Sequence, residues 1–287
     1  MMKTSQTRAG VGVDYLNSAA YPFEGGADGL LRQLHSRLSH AQLITLADGA
    51  EIEHVKRVLD GVPSVQHLVG IDPVRHEGPN LERFEEQDEH SKLLDAAWHY
   101  EDLGYWYIGP YNAPAFMPPL LEADVAEHTA ANIRELNRRS DVLFMPENPS
   151  CTFTAGTLSL GEFFTRVVDA ADCPMVLDLS HLYSYALLWQ LDPFDVLATF
   201  PLDRVWELHV AGGRVDEAES RRYLDNHIDP VLPVVLRLLE AAVSTMPELR
   251  AVTFETSADA SPEVLLDDFG RIEAVLEHSD FTPRVAV

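Results

Sequence analysis

The sequence predicts an α/β fold, a single (β/α)8 TIM barrel with a metal cluster at the C-terminal ends of its strands. Short β-rich runs alternate with helical periodicity along the chain, eight such units can be counted, and acids or histidines stand at the ends of most of the runs. The length of 287 residues agrees, because barrels of this kind run to about 250 residues as one unit. One domain over residues 1–287 is therefore expected.

The strands fall at residues 10–15, 41–46, 65–71, 97–103, 142–146, 175–179, 205–210 and 251–255. Several helices between them carry start signals, since a side-chain oxygen at the first position satisfies an otherwise unpaired backbone N–H. Asp48 precedes a helix over 51–59 with Gly61 beyond its end, and Ser159 stands three residues before Glu162 in a capping-box arrangement. Asp192-Pro193 and Ser261-Pro262 put proline at a first helical position. The stretch 232–243 is apolar along one side, as a helix packed on a barrel requires. Residues 73–95, which include GPNLERFEEQDEH, read as a long loop with a helix over one barrel mouth, and the Pro-rich 109–120 (GPYNAPAFMPPL) follows the fourth strand on that side. Together they make either a lid or substrate-binding rim or a solvated connector.

Composition narrows the function classes. With 46% hydrophobic and 23% charged residues the chain has enough apolar material for a large core. No run approaches the roughly 18 apolar residues of a membrane span. Residues 1–9 are polar and lack the apolar core of a signal peptide, so a cytoplasmic address is expected. A net charge of −25, from 46 acidic and 21 basic residues, opposes attraction to nucleic acid or anionic lipid. That charge suits bound cations, a solvated surface or a basic partner peptide. Cys151 and Cys173 are too sparse for a disulfide framework and read as buried thiols.

Loops of a barrel converge over the carboxyl ends of its strands, and the chemistry-bearing residues stand there. The fifth strand (VLFMPEN) delivers Glu147 and Asn148, and the sixth (MVLDLSHLY) delivers Asp178 and His181. The seventh (VWELHVAGG) delivers His209, with Asp225-Asn226-His227 in its loop; the eighth (AVTFET) ends in Glu255 and the third (VQHLVGID) offers His67. Asp, Glu and His are disfavoured inside apolar strands, so their recurrence at corresponding positions points to function. Imidazole and carboxylate without thiolate suit iron, manganese or zinc and argue against structural zinc or an iron–sulfur cluster. His67, Glu147, Asp178, His181, His209, Asp225, His227 and Glu255 exceed what one ion accepts once a position is kept open for substrate. More than one ion is implied, and Glu147 and Glu255 are suited to bridging.

Structural readings stand beside the functional ones. His67 reads equally as a core histidine near a strand start; His181 has a second reading as a cap on the following helix, and Asp225 and His227 a second reading as turn residues. Glu147 and Glu255 have no comparable alternative, because an acid after four or five apolar strand residues is otherwise an unpaired charge. His35, His40, His54, His76, His90, His128 and His278 fall on helices or polar loops and read as surface, whereas His99, near Glu101 and Asp102, is left open.

In combination and order, GVGVDY, ENPS, LDLSHLYS, ELHVAGG, LDNHIDPV and TFET resemble the motifs of the multinuclear non-haem iron-dependent oxidative enzymes (MNIO), over nearly the whole chain. The resemblance implies a barrel that binds two or three irons, Fe(II)/Fe(III), and takes dioxygen as co-substrate. Its members oxidise ribosomally synthesised precursor peptides, frequently at cysteine and often with a separate peptide-presenting partner protein. Carried over by motif, the metal ligands are His67, Glu147, Asp178, His209, Asp225, His227 and Glu255, with His181 where members commonly place Asn or His. Glu147, Asp178, His209 and Glu255 make up the catalytic set, and Asn148 and Ser180 are donors behind it. Where many members carry Ser-Glu-His-Leu on the fourth strand, this chain reads Tyr100-Glu101-Asp102-Leu103. Either Asp102 replaces that histidine as a ligand or His99 takes its role, which marks a divergent member.

Two rival classes stay open. One is a redox-free divalent-metal isomerase or hydrolase of the xylose-isomerase-like barrel type, and the other a metal- or peptide-binding scaffold without turnover. Metal identity and dependence on oxygen separate them.

Overall fold

The structure, a computed structural model, describes residues 10–16, 20–44, 49–108, 111–216, 218, 222–279 and 281–285. Eight parallel strands form one closed barrel in sequence order: β1 (Val11–Tyr15), β2 (Leu38–Ile44), β3 (Ser64–His67), β4 (His99–Asp102), β5 (Phe144–Glu147), β6 (Met175–Asp178), β7 (Val205–Ala211) and β8 (Ala251–Glu255), with β8 paired back onto β1. The helices between them are α1 (Ala27–Leu34), α2 (Gly49–Leu59), α3 (Leu81–Leu93), α4 (Ala123–Arg139), α5 (Leu160–Ala171), α6 (Leu179–Trp189), α7 (Pro193–Leu197), α8 (Pro233–Thr245) and α9 (Pro262–His278).

The two-residue period of a strand sorts its side chains between two apolar regions. Phe144, Leu177 and Val252 face outward and pack with Phe84, Ile133, Phe163 and Leu238 of the helices in the main core. Their strand neighbours Met145, Val176 and Ala251 face inward, with Val65, Trp98 and Tyr100, and fill the barrel interior. Phe163 on α5 is fully buried and meets Phe164 edge-on at 5.8 Å between ring centroids. Phe163→Ala is expected to cost about 3–5 kcal/mol in a denaturant titration without changing the metal content of the folded protein; a loss below about 1 kcal/mol would mean that this layer is not packed as described.

The helix-start signals hold where they are described. Ser159 and Glu162 form a reciprocal capping box, Asp192 accepts from the Phe194 amide, and Ser261 accepts from the Val264 amide. Asp48, the end of the expected second strand at 45–46, Gly109 and residues 1–9 lie outside the described residues.

Two expectations need correction, and the structure decides a third between its alternatives. The third strand ends at His67 rather than 71, because Gly70 adopts φ +81° and the amides of Ile71 and Asp72 turn to the Glu101 carboxylate at 2.7 and 2.8 Å. His67 thus stands at a strand end, not near its start. His40, read as surface, is fully buried, because β2 begins at Leu38 and carries it inside the barrel. Gly12 leaves it room: a Cβ there would lie 2.1 Å from its Nε2. The Pro-rich stretch is built into a hairpin, Tyr111–Met117 running antiparallel to Tyr105–Ile108. Asp72 accepts the amides of Trp106 and Tyr107 at 3.2 and 3.3 Å, which ties that hairpin to the β3–α3 connection as an ordered rim.

Candidate metal centre

The inward-facing parity that fills the barrel interior also builds its mouth. Two residues beyond Val65, Tyr100, Met145 and Val176 come His67, Asp102, Glu147 and Asp178, one layer higher on the same inward face. On β7 and β8 the same parity brings up His209 and Glu255. The Asp225-Asn226-His227 loop completes the ring from above. Asn226 takes the turn role, its side-chain oxygen accepting the Ile228 and Asp229 amides at 3.0 and 3.1 Å, and this leaves Asp225 and His227 free for the mouth. His227 sits at φ +57°.

These side chains form a closed circuit in which imidazoles and carboxylates alternate. His67 Nε2 lies 3.2 Å from Asp102, Asp102 3.5 Å from His181, and His181 Nε2 2.8 Å from Asp225. Asp225 lies 3.5 Å from His227 Nε2, which is 3.7 Å from Glu255; Glu255 lies 3.3 Å from His209 Nδ1, which is 2.8 Å from Glu147. Glu147 closes the ring at 3.7 Å from His67. Within it are three triads whose donor atoms lie within 4.8 Å of one another: His67–Asp102–Glu147, Glu147–His209–Glu255 and Glu147–Asp178–His181. Glu147 belongs to all three.

Asp102, and not His99, takes the place in the circuit that the fourth strand offers. His99 faces outward, bonded to Ser91 at 3.1 Å and packed edge-on against Phe84 and Phe144. Asp178 caps α6 by accepting the His181 amide at 2.6 Å, so the cap is the acid and the imidazole is left for the mouth. The Asn148 carbonyl accepts from His181 Nδ1 at 2.7 Å, which turns Nε2 toward Asp225, and the Asn148 side chain bonds the Asp178 backbone in both directions at 2.9 and 2.8 Å. Ser180 does the same for Ala211, locking the start of α6 to the end of β7. The side chains of both polar residues therefore act on the backbone beneath the circuit, and only the Asn148 carbonyl reaches one of its side chains.

Burial alone would deprotonate these histidines, but the facing acids outweigh it. The hydrogen bond and charge of Asp102, then Glu147 and Glu255, hold His67 up to about 9, and Asp225 and Glu255 hold His227 up to about 10. His181 and His209 rise well above the usual imidazole range for the same reason. Burial pushes Glu147 up to about 8, Asp178 to about 6 and Asp14 to about 7. Asp225 and Glu255, although burial works against them too, are held below the usual carboxylate range by the histidines they face.

A cavity of about 580 Å³ opens above the circuit, with Leu16, Ile44 and Phe116 on its apolar side and Arg222 on its rim. Asp14 also lines it, at the end of β1; one oxygen accepts the Thr256 amide at 3.0 Å and the other, buried, has no hydrogen-bond partner among the described residues. Asp14 ends an apolar run as Glu147 does, so the signal was there, in GVGVDY. Gln42 was also missed; it donates to Glu255 at 2.9 Å from inside β2.

Whether these residues fit metal ions follows from their unpaired atoms. Both Glu147 oxygens, His209 Nδ1, Asp178 Oδ2, Asp225 Oδ1, Asp102 Oδ1 and His67 Nδ1 are buried without a hydrogen-bond partner among the described residues. Lone pairs crowded to these distances in a dry site are stabilised by a shared cation or by protons. A set of imidazole nitrogens and carboxylate oxygens without thiolate fits iron, manganese or zinc. Cys151 and Cys173 are free, buried and not among the triads.

Fold and mouth together define a barrel enzyme with clustered acids and imidazoles at its strand ends. The family model of the RiPP precursor modification enzyme MbnB/TglH/ChrH matches residues 39–277, and the chain belongs to that family. A UPF0276 protein of Caulobacter vibrioides is 26% identical over 226 residues, 77% of each chain, and one of Neisseria meningitidis serogroup C is 28% identical over 197 residues, 67% of each. Among solved structures, a xylose isomerase-like TIM barrel protein from Mycobacterium smegmatis in complex with magnesium superposes with a TM-score of 0.59 at 15% identity, covering 95% of this chain and 99% of that one. The 3-keto-D-glucoside 4-epimerase YcjR from E. coli gives 0.56 at 12% identity, covering 93% and 98%. Both likenesses are of fold. No helix among the described residues is long and apolar enough to cross a membrane.

Proposed function

We propose that this chain, acting as one domain over residues 1–287 in the cytoplasm, is a multinuclear non-haem iron enzyme that uses dioxygen to oxidise a ribosomally synthesised precursor peptide. The observation that carries the reading is the place of Glu147 in three donor triads at once, since neighbouring ions that share a carboxylate are what a multinuclear centre requires. Family membership supports the peptide substrate.

Glu147, Asp178, His209 and Glu255 would hold the metal ions centrally, with His67 and Asp102 on one side and His181, Asp225 and His227 on the other. Bound iron supplies electrons and Lewis acidity toward dioxygen and a substrate heteroatom. The walls formed by Leu16, Ile44 and Phe116 keep bulk water from the reacting carbon. Asp14, with its free oxygen, accepts an N–H or O–H of the bound peptide, and Arg222 meets a carbonyl or carboxylate at the rim. The net charge of −25 favours basic flanking residues in the peptide or in a separate presenting partner and disfavours nucleic acid and membrane.

The test is anaerobic reconstitution with iron followed by oxygen in the presence of a candidate ribosomally synthesised precursor peptide. Consumption of oxygen coupled to a mass change in the peptide is expected. Full turnover with zinc or magnesium under nitrogen would instead make this a redox-free isomerase or hydrolase.

A further inference from the structure

The geometry points to Glu207 as a positioning residue that holds the proton of His209 on Nε2 and so presents its Nδ1 to the metal centre. This rests on the reading of His209 as a metal ligand and adds a residue outside the cavity to it. Glu207 lies two residues before His209 on β7, on the same inward side and one layer deeper, with no exposed surface. It belongs to none of the donor triads and does not line the cavity.

The hydrogen bonds around it admit one direction. A carboxylate only accepts. The Trp98 indole therefore donates to one Glu207 oxygen at 2.6 Å, and the Thr253 hydroxyl donates to the other at 2.5 Å. Having given its proton away, Thr253 accepts from His40 Nε2 at 2.7 Å, and His40 Nδ1 then accepts from the Ser39 hydroxyl at 2.8 Å. No hydrogen in this chain is left over for His209. Its Nε2 has no hydrogen-bond partner among the described residues; it faces the Thr253-bonded oxygen of Glu207 at 3.4 Å, about half an ångström beyond the commonest N–H···O separation. A lone pair on Nε2 would face the lone pairs of that oxygen, so the ring keeps its proton there. When a metal ion displaces the other proton, the lone pair falls on Nδ1, which lies 2.8 Å from Glu147 and 3.3 Å from Glu255. An acid that orients a metal-bound imidazole through its far nitrogen is a general device, and its loss costs about 10–100-fold in metal affinity.

Glu207→Gln is nearly isosteric and cannot keep this pattern. Its NH2 must face either the Trp98 N–H, donor against donor, or the side shared by Thr253 and His209, where it drives the His209 proton to Nδ1 and blocks the lone pair. Two readouts test this on the full chain: equilibrium zinc affinity by competition with a chelator, and the ¹⁵N–¹H spectrum of the histidine rings. In the wild type a hydrogen-bonded, slowly exchanging His209 Nε2 proton is expected in both the metal-free and the zinc-loaded protein. In Glu207→Gln that signal disappears and zinc affinity falls about 10–100-fold, whereas Phe163→Ala, destabilised elsewhere, keeps wild-type affinity and spectrum. If Glu207→Gln does not fold, the wild-type spectrum decides alone. A zinc-loaded wild type whose His209 proton sits on Nδ1 overturns the inference and leaves the metal centre standing, whereas a wild type that takes up no zinc or iron removes the proposed function and this role with it.

Discussion

Glu147→Gln is expected to lose at least one bound metal ion per chain and to lower oxygen-dependent turnover by more than about 100-fold, the upper end of what removal of a supporting partner costs a metal site. Glu147 lies in every donor triad, and both of its oxygens are buried without a hydrogen-bond partner among the described residues. The amide nitrogen of glutamine offers no lone pair, so bridging ends while side-chain volume stays the same. Asp102→Asn is the comparison: Asp102 belongs to one triad and its loss removes at most one ion. Elemental analysis of protein purified without oxygen, paired with oxygen uptake, checks both variants. Wild-type metal content and turnover in Glu147→Gln would mean that the triads are not coordination sites.

Metal uptake is expected to release protons, with affinity rising by about one to two orders of magnitude per pH unit near neutrality, one order for each proton displaced per ion. His67 and His227 are held up to about 9 and 10, and Glu147 to about 8, so all three carry protons at pH 7 in the metal-free protein. The sign for stability follows from the same groups. A histidine with a raised folded pKa stabilises fully below its unfolded value of 6.5, and that stability is lost as the pH rises through 9 to 10. Glu147, raised from 4.5 to about 8, binds more protons folded than unfolded and adds a loss over that window. The depressed Asp225 and Glu255 contribute stability that disappears only in acid. The chelator-treated protein should therefore melt at progressively lower temperature from about pH 6 to 9, and metal, which replaces the protons, should flatten that decline. Melting temperatures of the metal-free protein that rise with pH would contradict the protonation scheme.

Much of the barrel was legible because strand parity is written into the sequence: Met145 before Glu147 and Val176 before Asp178 each show an inward position followed by another. Glu207 escaped the sequence reading because it lies in mid-strand, below the end where chemistry was sought. His40 was misread because β2 begins at Leu38, three residues before the expected start at 41, and so carries it into the barrel. The Pro-rich rim gives no alternation to follow, and its hairpin is stabilised by Asp72, a residue more than thirty positions away that no local pattern announces. Asp225 and His227 also read as turn residues until the structure showed that the Asn226 side chain accepts the amides of that turn.

The most direct test of a shared-carboxylate cluster is anomalous diffraction at the iron edge from crystals of the anaerobically reconstituted protein. At least two peaks within about 4 Å of each other, both beside the Glu147 carboxylate, are expected. A single peak, or iron only at sites away from Glu147, would contradict it.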